Sequence, residues 1–285
     1  MGIDGQDIYV MIDAHQHFWN FDPIRDAWIT EDMSIIRKDF LPADLAPVLQ
    51  ANGIEGCVAV QADQSEAETD FLLQLAAENP FIKGVVGWVD LKAANVEERL
   101  AHYAQFPLLK GVRHIVQGEP DRNFLLREDF GRGIKALSAF GLTYDILIYP
   151  HQLPAAVEFV KKFENQPMVI DHLAKPDFET GELKGWEQHI RNIARSQNVY
   201  CKLSGMVTEA DIQNWKKEDF TPFLDVALEA FGPARLMFGS DWPVCLLAAD
   251  YTQVKDIVTD YISRLSAAEQ AQIMGGNAIE FYKLA

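Results

Sequence analysis

The stretch Asp13-Ala14-His15-Gln16-His17-Phe18-Trp19 follows an apolar lead, Ile8-Tyr9-Val10-Met11-Ile12, which is typical of a buried strand. Because successive side chains of a strand point to opposite faces, His15 and His17 are expected to point the same way, with Gln16 opposed. Two imidazoles on one face at the end of a strand can bind a metal ion, a substrate oxygen or both. The structural alternative is a hydrogen-bonded core histidine, and the pairing at alternate positions after a buried strand favours a functional site.

Seven further short apolar segments follow, and helical patterns separate them. The other predicted strands are residues 56–61, 84–90, 111–116, 142–149, 168–172, 199–204 and 235–241. The predicted helices are residues 43–51, 66–78, 96–103, 130–140, 152–163, 186–196, 220–231, 251–265 and 267–282. Eight strands alternating with helices over 285 residues predict an α/β fold, a (β/α)8 barrel of the TIM type. A doubly wound open sheet is the alternative, and the lack of a glycine-rich phosphate turn after the first strand disfavours it.

Composition narrows the class of protein and its surroundings. Residues 1–10 are interpreted as a ragged N-terminal leader and residues 11–285 as a single barrel domain. The formal net charge of −17 argues against a nucleic-acid-binding face, which would be basic. No apolar run approaches the ~20 residues that cross a bilayer, and the start of the sequence lacks a signal-peptide pattern. Cys57, Cys201 and Cys245 lie far apart in apolar segments, which predicts buried reduced thiols and a cytoplasmic protein. An assembly of identical chains stays open.

Polar side chains collect at the carboxyl end of every predicted strand. They are His15 and His17, Gln61 and Asp63, Trp88 and Asp90, Arg113 and His114, Tyr149 and His151, His172, Ser204, and Asp241. The carboxyl ends of all strands in a parallel barrel share one rim, where such barrels have their active sites. The long irregular stretch 20–40 is also expected to be functional, because long loops in compact domains usually are. The sequence therefore predicts one active site assembled from residues far apart in the chain.

Asp241 is the predicted proton-transfer group, because a carboxylate near imidazoles or a metal can take a proton from water and deliver it to a leaving oxygen. Capping of the following turn is its structural alternative. Arg113 would be costly on an inward strand face without a partner, so it is expected to bind substrate or a buried carboxylate. His172 shares the strand phase of Ile170, which predicts that Asp171 faces the opposite side. A hydrogen-bonded structural role is the alternative for His172.

Five motifs resemble the amidohydrolase-related (amidohydrolase 2) family, and they are closest to its sugar-lactonase branch of L-fuconolactonases and L-rhamnonolactonases. The motifs are residues 13–19 (DAHQHFW), 110–114 (KGVRH), 150–153 (PHQL), 171–176 (DHLAKP) and 238–243 (FGSDWP). The resemblance implies a (β/α)8 barrel that hydrolyses a sugar-acid lactone to the open acid. It also implies roles for individual residues, with a catalytic centre of Asp241, His172, His15 and His17 and substrate contacts from Arg113 and His151.

Three more rim residues are expected to contact substrate. Trp88 and Tyr149 could stack on a ring-shaped substrate, and Gln61 could reach it from the end of the second strand. Packing is the alternative for both aromatic residues, since large side chains at strand ends are commonly buried.

The resemblance also bears on the metal. Two-metal members of the superfamily have a carboxylated lysine or a glutamate late in strand four and a histidine late in strand five. Here strand four has Arg113, and His151 comes only after strand five, so a two-metal centre is not expected. The resemblance implies one divalent ion, zinc by preference, on His15, His17 and Asp241, and leaves open whether activity requires it.

Two other functions stay open at this point. A zinc-dependent decarboxylase of an aromatic or unsaturated acid is one, since related families share the histidine pair and the aspartate of the last strand. The other is an inactive barrel that binds a sugar acid or a partner protein. No candidate catalytic position is visibly replaced, which favours an enzyme over the inactive barrel.

Overall fold

In the computed structural model, which describes residues 9–285, eight parallel strands form one sheet in sequential order. The strands are β1 (Ile12–Gln16), β2 (Gly56–Val60), β3 (Ile82–Gly87), β4 (Leu109–His114), β5 (Thr143–Ile146), β6 (Met168–Ile170), β7 (Val199–Leu203) and β8 (Leu236–Phe238). The first strand returns to the segment after the last, because Asp241 N donates to His15 O at 2.8 Å and His17 N donates to Trp242 O at 2.7 Å. These bonds join the two ends of the sheet, which confirms the predicted (β/α)8 barrel.

The helices alternate with the strands as predicted. They are α1 (Pro42–Ala51), α2 (Glu66–Glu78), α3 (Val96–Tyr103), α4 (Glu128–Ala139), α5 (Leu153–Lys162), α6 (Trp186–Ala194), α7 (Lys217–Phe231), α8 (Tyr251–Ile262), α9 (Ala267–Ala271) and α10 (Asn277–Tyr282). The helix predicted over 267–282 is interrupted by a π-helical turn, Gln272–Gly276. A Cβ on Gly275 would collide with the Val10 carbonyl, so glycine permits the close approach of this turn to the start of β1.

Apolar side chains fill two layers. The outer layer packs the strands against the surrounding helices. The inner layer consists of Ile12, Ala14, Val58, Val60, Val86, Val169 and Met237 of the strands, together with Ala278, Phe281 and Tyr282 of α10. Burial of each large aliphatic side chain stabilises the fold by roughly 1.5–3 kcal/mol. The register shift between Asp13 and Gln16 lets Ala14 join this layer while the next residue, His15, also points inward.

The predicted alternation of side chains fails after Ile170. The sixth strand ends there, and residues 172–175 all have positive φ, between 50° and 56°. Left-handed backbone costs L-residues roughly 1–2 kcal/mol each, so it persists only where the surrounding structure fixes it. This turn brings both Asp171 and His172 into the barrel. The prediction that Asp171 faces the opposite side was therefore wrong.

Two further predictions concern the cysteines and the leader. Cys57, Cys201 and Cys245 are buried and carry no disulfide, as expected. The predicted leader, residues 1–10, falls outside the described residues except for its last two positions. None of the helices between residues 9 and 285 is long and apolar enough to span a membrane.

Glu68 gives the fold a measurable pH dependence. This carboxylate is buried at the start of α2, where it accepts the Ala62 amide, and burial raises its pKa to about 7 from an ordinary 4.5. The unfolded chain ionises first as pH rises, so burying the charged form destabilises the fold progressively between pH 4.5 and 7. We expect the free energy of unfolding of Glu68→Gln to exceed that of the wild type by up to about 3 kcal/mol at pH 8. Urea unfolding at pH 4.5 and pH 8 measures it.

Glu78→Gln on the same helix is the matched control, because Glu78 is exposed. Its stability relative to the wild type should not change between the two pH values. A Glu68→Gln advantage of the same size at both pH values would contradict the burial argument.

Candidate active site

Four side chains predicted to be catalytic converge at the carboxyl ends of the strands. Asp241 Oδ1 lies 3.2 Å from His17 Nε2, 3.8 Å from His15 Nε2 and 3.9 Å from His172 Nε2. All four side chains are buried. Residues from β1, from the turn after β6 and from the segment after β8 therefore meet around one carboxylate oxygen.

A cavity of about 340 Å³ opens above this cluster. Its lining consists of His17, Trp28, Ala62, Arg113, Ile115, Gln117, Gly118, Leu147, Tyr149, His172, Lys175, Asp241 and Val244. The volume falls within the ~300–1,000 Å³ typical of small-molecule sites. The irregular stretch after β1 contributes Trp28 to the lining, as its length suggested.

The predicted substrate contacts divide into two groups. Arg113 and Tyr149 line the cavity. Gln61 lies behind Arg113. The main-chain oxygen and the Oε1 of Gln61 both accept hydrogen bonds from Arg113 Nη2, and Gln61 Nε2 donates to the Arg113 carbonyl at 3.2 Å. The structure therefore places Gln61 where it positions the guanidinium, and not on the cavity wall.

Trp88 and His151 also lie away from the cavity wall. Thr69 of α2 binds both the amide and the carbonyl of Trp88 at 2.8 Å, which holds this residue toward the helix layer. The His151 ring is exposed and stacks on Tyr149 with centroids 6.2 Å apart. Both residues come after their strands have ended, where alternation no longer predicts the direction of a side chain.

His17 is oriented by the backbone of β2. Its Nδ1 lies 2.8 Å from the Val60 carbonyl oxygen, which can only accept, so the proton of the neutral ring lies on Nδ1. Its Nε2 then presents a lone pair to Asp241 Oδ1 at 3.2 Å and to His15 Nε2 at 3.3 Å. Acceptor atoms that face one another in a buried site require a cation or a proton among them.

His172 is held from the β7 side of the barrel. Its Nδ1 lies 2.9 Å from Ser204 Oγ, and its ring lies 4.4 Å from that of His15 between centroids. Gly205 follows with a φ of +64°, and a Cβ there would collide with the imidazole. The absence of a side chain at Gly205 therefore makes space for the His172 ring in the orientation that points Nε2 toward Asp241.

His15 lies against a buried lysine that sequence reasoning missed. Lys202 Nζ lies 3.0 Å from His15 Nδ1, 2.6 Å from Asp145 Oδ2 and 3.0 Å from Asp171 Oδ1. Arg113 Nη1 lies 3.0 Å from Asp171 Oδ2, so two cations and two carboxylates balance beneath the histidines. The available signal was a lysine and an aspartate inside two apolar strand segments, at positions 202 and 145.

Burial and neighbouring charges set the protonation of the site. Burial lowers the pKa of His172 to about 4, and burial together with Lys202 holds the pKa of His15 well below its usual range. Burial alone would raise the pKa of Asp241, but His172, which is charged at low pH, and His17 outweigh it and hold this pKa below the ordinary range. At neutral pH an ionised Asp241 therefore stands beside neutral His15 and His172.

The residues present fit one divalent ion. His15 Nε2, His17 Nε2 and Asp241 Oδ1 lie 3.2–3.8 Å apart, close to the roughly 3.3 Å between ligands of tetrahedral zinc. Asp171 Oδ1 lies 3.4 Å from His15 Nδ1 and can accept a hydrogen bond from Nδ1–H, the tautomer in which Nε2 offers its lone pair to a metal. When Lys202 donates to Nδ1 instead, the proton lies on Nε2 and points into the site.

A histidine pair, a further histidine and an aspartate meet here at the carboxyl ends of the strands. This is where (β/α)8-barrel enzymes have their active sites, so the fold and the site together define a barrel enzyme. The chain belongs to the amidohydrolase family, whose family model, described as Amidohydrolase, matches residues 12–284.

Individual relatives are similar over nearly the whole chain. The chain is 42% identical over 287 residues to an L-fucono-1,5-lactonase of Burkholderia multivorans, with 96% of each protein covered. It is 34% identical over 288 residues to an L-fucono-1,5-lactonase of Burkholderia ambifaria, with 96% of this chain and 95% of the relative covered. A crystal structure of an amidohydrolase from Burkholderia multivorans with bound zinc matches with a TM-score of 0.94 and 42% identity, covering 97% of this chain and 100% of that one. The family predicted from the motifs is confirmed.

The buried charge balance predicts an unequal response of two lysines. Lys202→Met leaves Asp145 and Asp171 short of a cation inside the barrel, so we expect the free energy of unfolding to fall by about 3–5 kcal/mol. Lys217→Met is the matched control, because Lys217 pairs with Asp260 on the surface and its loss should cost less than about 1 kcal/mol. Denaturant unfolding of both variants measures the difference, and equal losses would argue against the buried network.

Proposed function

We propose that this chain hydrolyses a sugar-acid 1,5-lactone of the L-fucono type and opens the ring to the free acid. The observation that carries the proposal is that an ionised Asp241 and the Arg113 guanidinium line one cavity of small-molecule size. The identity of 42% with an L-fucono-1,5-lactonase supports both the reaction and this substrate class.

Asp241 moves the proton that ring opening needs. Its Oδ1 faces the imidazoles, which leaves Oδ2 to accept a proton from a water as the water oxygen bonds to the lactone carbonyl carbon. The carbonyl π electrons move onto oxygen, giving a tetrahedral oxyanion. As the carbonyl re-forms, the bond to the ring oxygen breaks, and that oxygen takes the proton back from Asp241. The new acid group then loses its own proton to solvent.

Arg113 stabilises the oxyanion. Asp171 and Gln61 hold its two terminal nitrogens, so the guanidinium is fixed in orientation at the cavity wall. A pre-oriented donor in a buried site stabilises developing negative charge without reorganising at the moment of reaction. Gln61 and Asp171 therefore act on the reaction through Arg113.

His15, His17 and Asp241 would hold one zinc ion at this site. Bound there, zinc would supply Lewis acidity toward the carbonyl oxygen and acidity to a water. The zinc-bound amidohydrolase structure at 42% identity supports this choice of metal.

The decarboxylase alternative is less supported. The relatives with 42% and 34% identity over nearly the full chain are both lactonases. An assay with an aromatic acid beside the lactone separates the two reactions, because decarboxylation releases carbon dioxide and lactone opening releases a proton.

Asp241→Asn tests the proton transfer. The amide cannot accept the proton from water, so we expect kcat/KM for L-fucono-1,5-lactone to fall on the order of 10³-fold while circular dichroism and melting stay close to the wild type. Asp177→Asn is the matched control, since Asp177 is exposed, and it should retain wild-type kinetics. A pH-stat or indicator assay measures both, and near-normal kcat in Asp241→Asn would reject its role as base.

Metal removal and reconstitution test the ligand set. Chelator-treated protein titrated with zinc should take up about one ion per chain, read by plasma mass spectrometry, and His17→Ala should weaken binding on the order of 100-fold. His102→Ala on α3 is the control, because His102 is exposed and outside the cluster. Equal zinc affinity in the two variants would show that the ion binds elsewhere.

A further inference from the structure

The cavity has two chemically different walls. In a ring of eight strands, the segments after β4, β5 and β6 lie across the barrel from those after β8 and β1. The β8–β1 side presents the apolar side chains of Val244 and Trp28. The opposite side presents Gln117 after β4, Tyr149 after β5 and Lys175 after β6. Among residues 9–285, the long polar side chains of the lining outside the catalytic cluster, those of Gln117 and Lys175, lie on this second wall.

The second wall also has an apolar base. Ile115 and Leu147 directly follow the last residues of β4 and β5, and both line the cavity. Gln117 and Tyr149 come two residues later in each segment, further from the strand ends. A ligand that reaches the catalytic floor therefore meets apolar surface low on this wall and polar groups above it.

Gln117 has an unused hydrogen-bonding group. Its backbone is fixed, because its amide donates to the Leu147 carbonyl at 3.0 Å. Its side-chain Oε1 is buried and has no hydrogen-bond donor within the part of the chain described, residues 9–285. A buried carbonyl oxygen without a donor is unfavourable, and because Gln117 lines the cavity, a flip of its terminal amide would present this oxygen to a molecule bound there. A hydroxyl group supplies that donor.

Lys175 is held at the same wall. The left-handed turn that orients His172 ends at Lys175, whose Nζ lies 2.7 Å from Glu209 Oε1 and 5.3 Å from the centre of the Tyr149 ring. An ammonium group has three donors, and Glu209 uses one of them. The remaining donors can bind hydroxyl oxygens of a ligand in the cavity.

A six-membered 6-deoxyaldonolactone such as L-fucono-1,5-lactone has two edges that match the two walls. One edge runs from the carbonyl carbon through carbons that carry hydroxyl groups, and the other runs through the ring oxygen to the carbon that carries the methyl group. With the carbonyl at Asp241 and Arg113, the hydroxyl edge can face one wall only.

We propose that Gln117 and Lys175 determine substrate specificity by hydrogen bonding to the ring hydroxyls of the lactone. The ring-oxygen and methyl edge then faces Trp28 and Val244. This assignment rests on the proposed lactonase function. It makes the substrate class a polyhydroxylated lactone and gives these two side chains a binding role separate from the proton transfer by Asp241.

The test compares L-fucono-1,5-lactone with δ-valerolactone, which has the same ring and carbonyl but no hydroxyl groups. Gln117→Leu should raise KM for the fuconolactone about 3- to 10-fold, and Lys175→Met about 10- to 100-fold, with kcat within about threefold of the wild type. Both variants should hydrolyse δ-valerolactone at the same rate as the wild type, because this lactone has no hydroxyl group for either side chain to bind. Glu209→Gln removes the anchor of Lys175 and keeps the cation, so its effect should fall between those of Lys175→Met and the wild type.

Lys217→Met controls for the loss of a paired lysine remote from the cavity and should leave both substrates unaffected. Unchanged KM for the fuconolactone in both Gln117→Leu and Lys175→Met would overturn the proposal. So would a fall in kcat larger than the rise in KM, which would indicate a catalytic or structural role. A wild-type enzyme that opens no lactone would instead refute the proposed function, so the two failures are distinguishable.

Discussion

The site depends on one buried carboxylate that joins the first and last strands. Asp13 Oδ1 accepts the amides of His15 at 3.1 Å and Ser240 at 2.9 Å. Its Oδ2 accepts the hydroxyls of Ser240 at 2.6 Å and Tyr251 at 2.9 Å. Ser240 directly precedes Asp241, so Asp13 fixes the backbone at His15 and next to Asp241. Burial raises the pKa of Asp13 against these hydrogen bonds, and the four donors explain why a carboxylate is tolerated there.

A cluster of four charged side chains lies under the imidazoles and determines which nitrogen of His15 carries the proton. Lys202 and Arg113 balance Asp145 and Asp171, so the charges within this cluster of four side chains cancel. Buried ion pairs contribute little net stability, because desolvation offsets their attraction. Their effect here is positional, since the ammonium and carboxylate groups compete for Nδ1 of His15. That competition decides whether the opposite nitrogen presents a proton or a lone pair to the site.

The sequence predicted those parts of the site that follow from regular strands. Eight apolar segments and the polar residues at their carboxyl ends were enough to bring His15, His17, His172 and Asp241 to one rim. Alternation could not place Asp171, because the left-handed turn after β6 breaks the period of two. It could not place Lys202 against His15 either, since contacts between strands one and seven depend on barrel closure, which no local pattern encodes.

The electrostatics of the cavity favour entry of a neutral substrate and release of an anionic product. A lactone carries no charge, so it enters without electrostatic repulsion from a protein of net charge −17. Opening the ring creates a carboxylate beside the ionised Asp241, and like charges in a buried site repel strongly because little solvent screens them. In the proposed mechanism Arg113 stabilises negative charge while it develops, and Asp171 at 3.0 Å partly neutralises this cation throughout. If Asp241 is the base, as we propose, the same carboxylate also weakens binding of the product and so favours turnover over product inhibition.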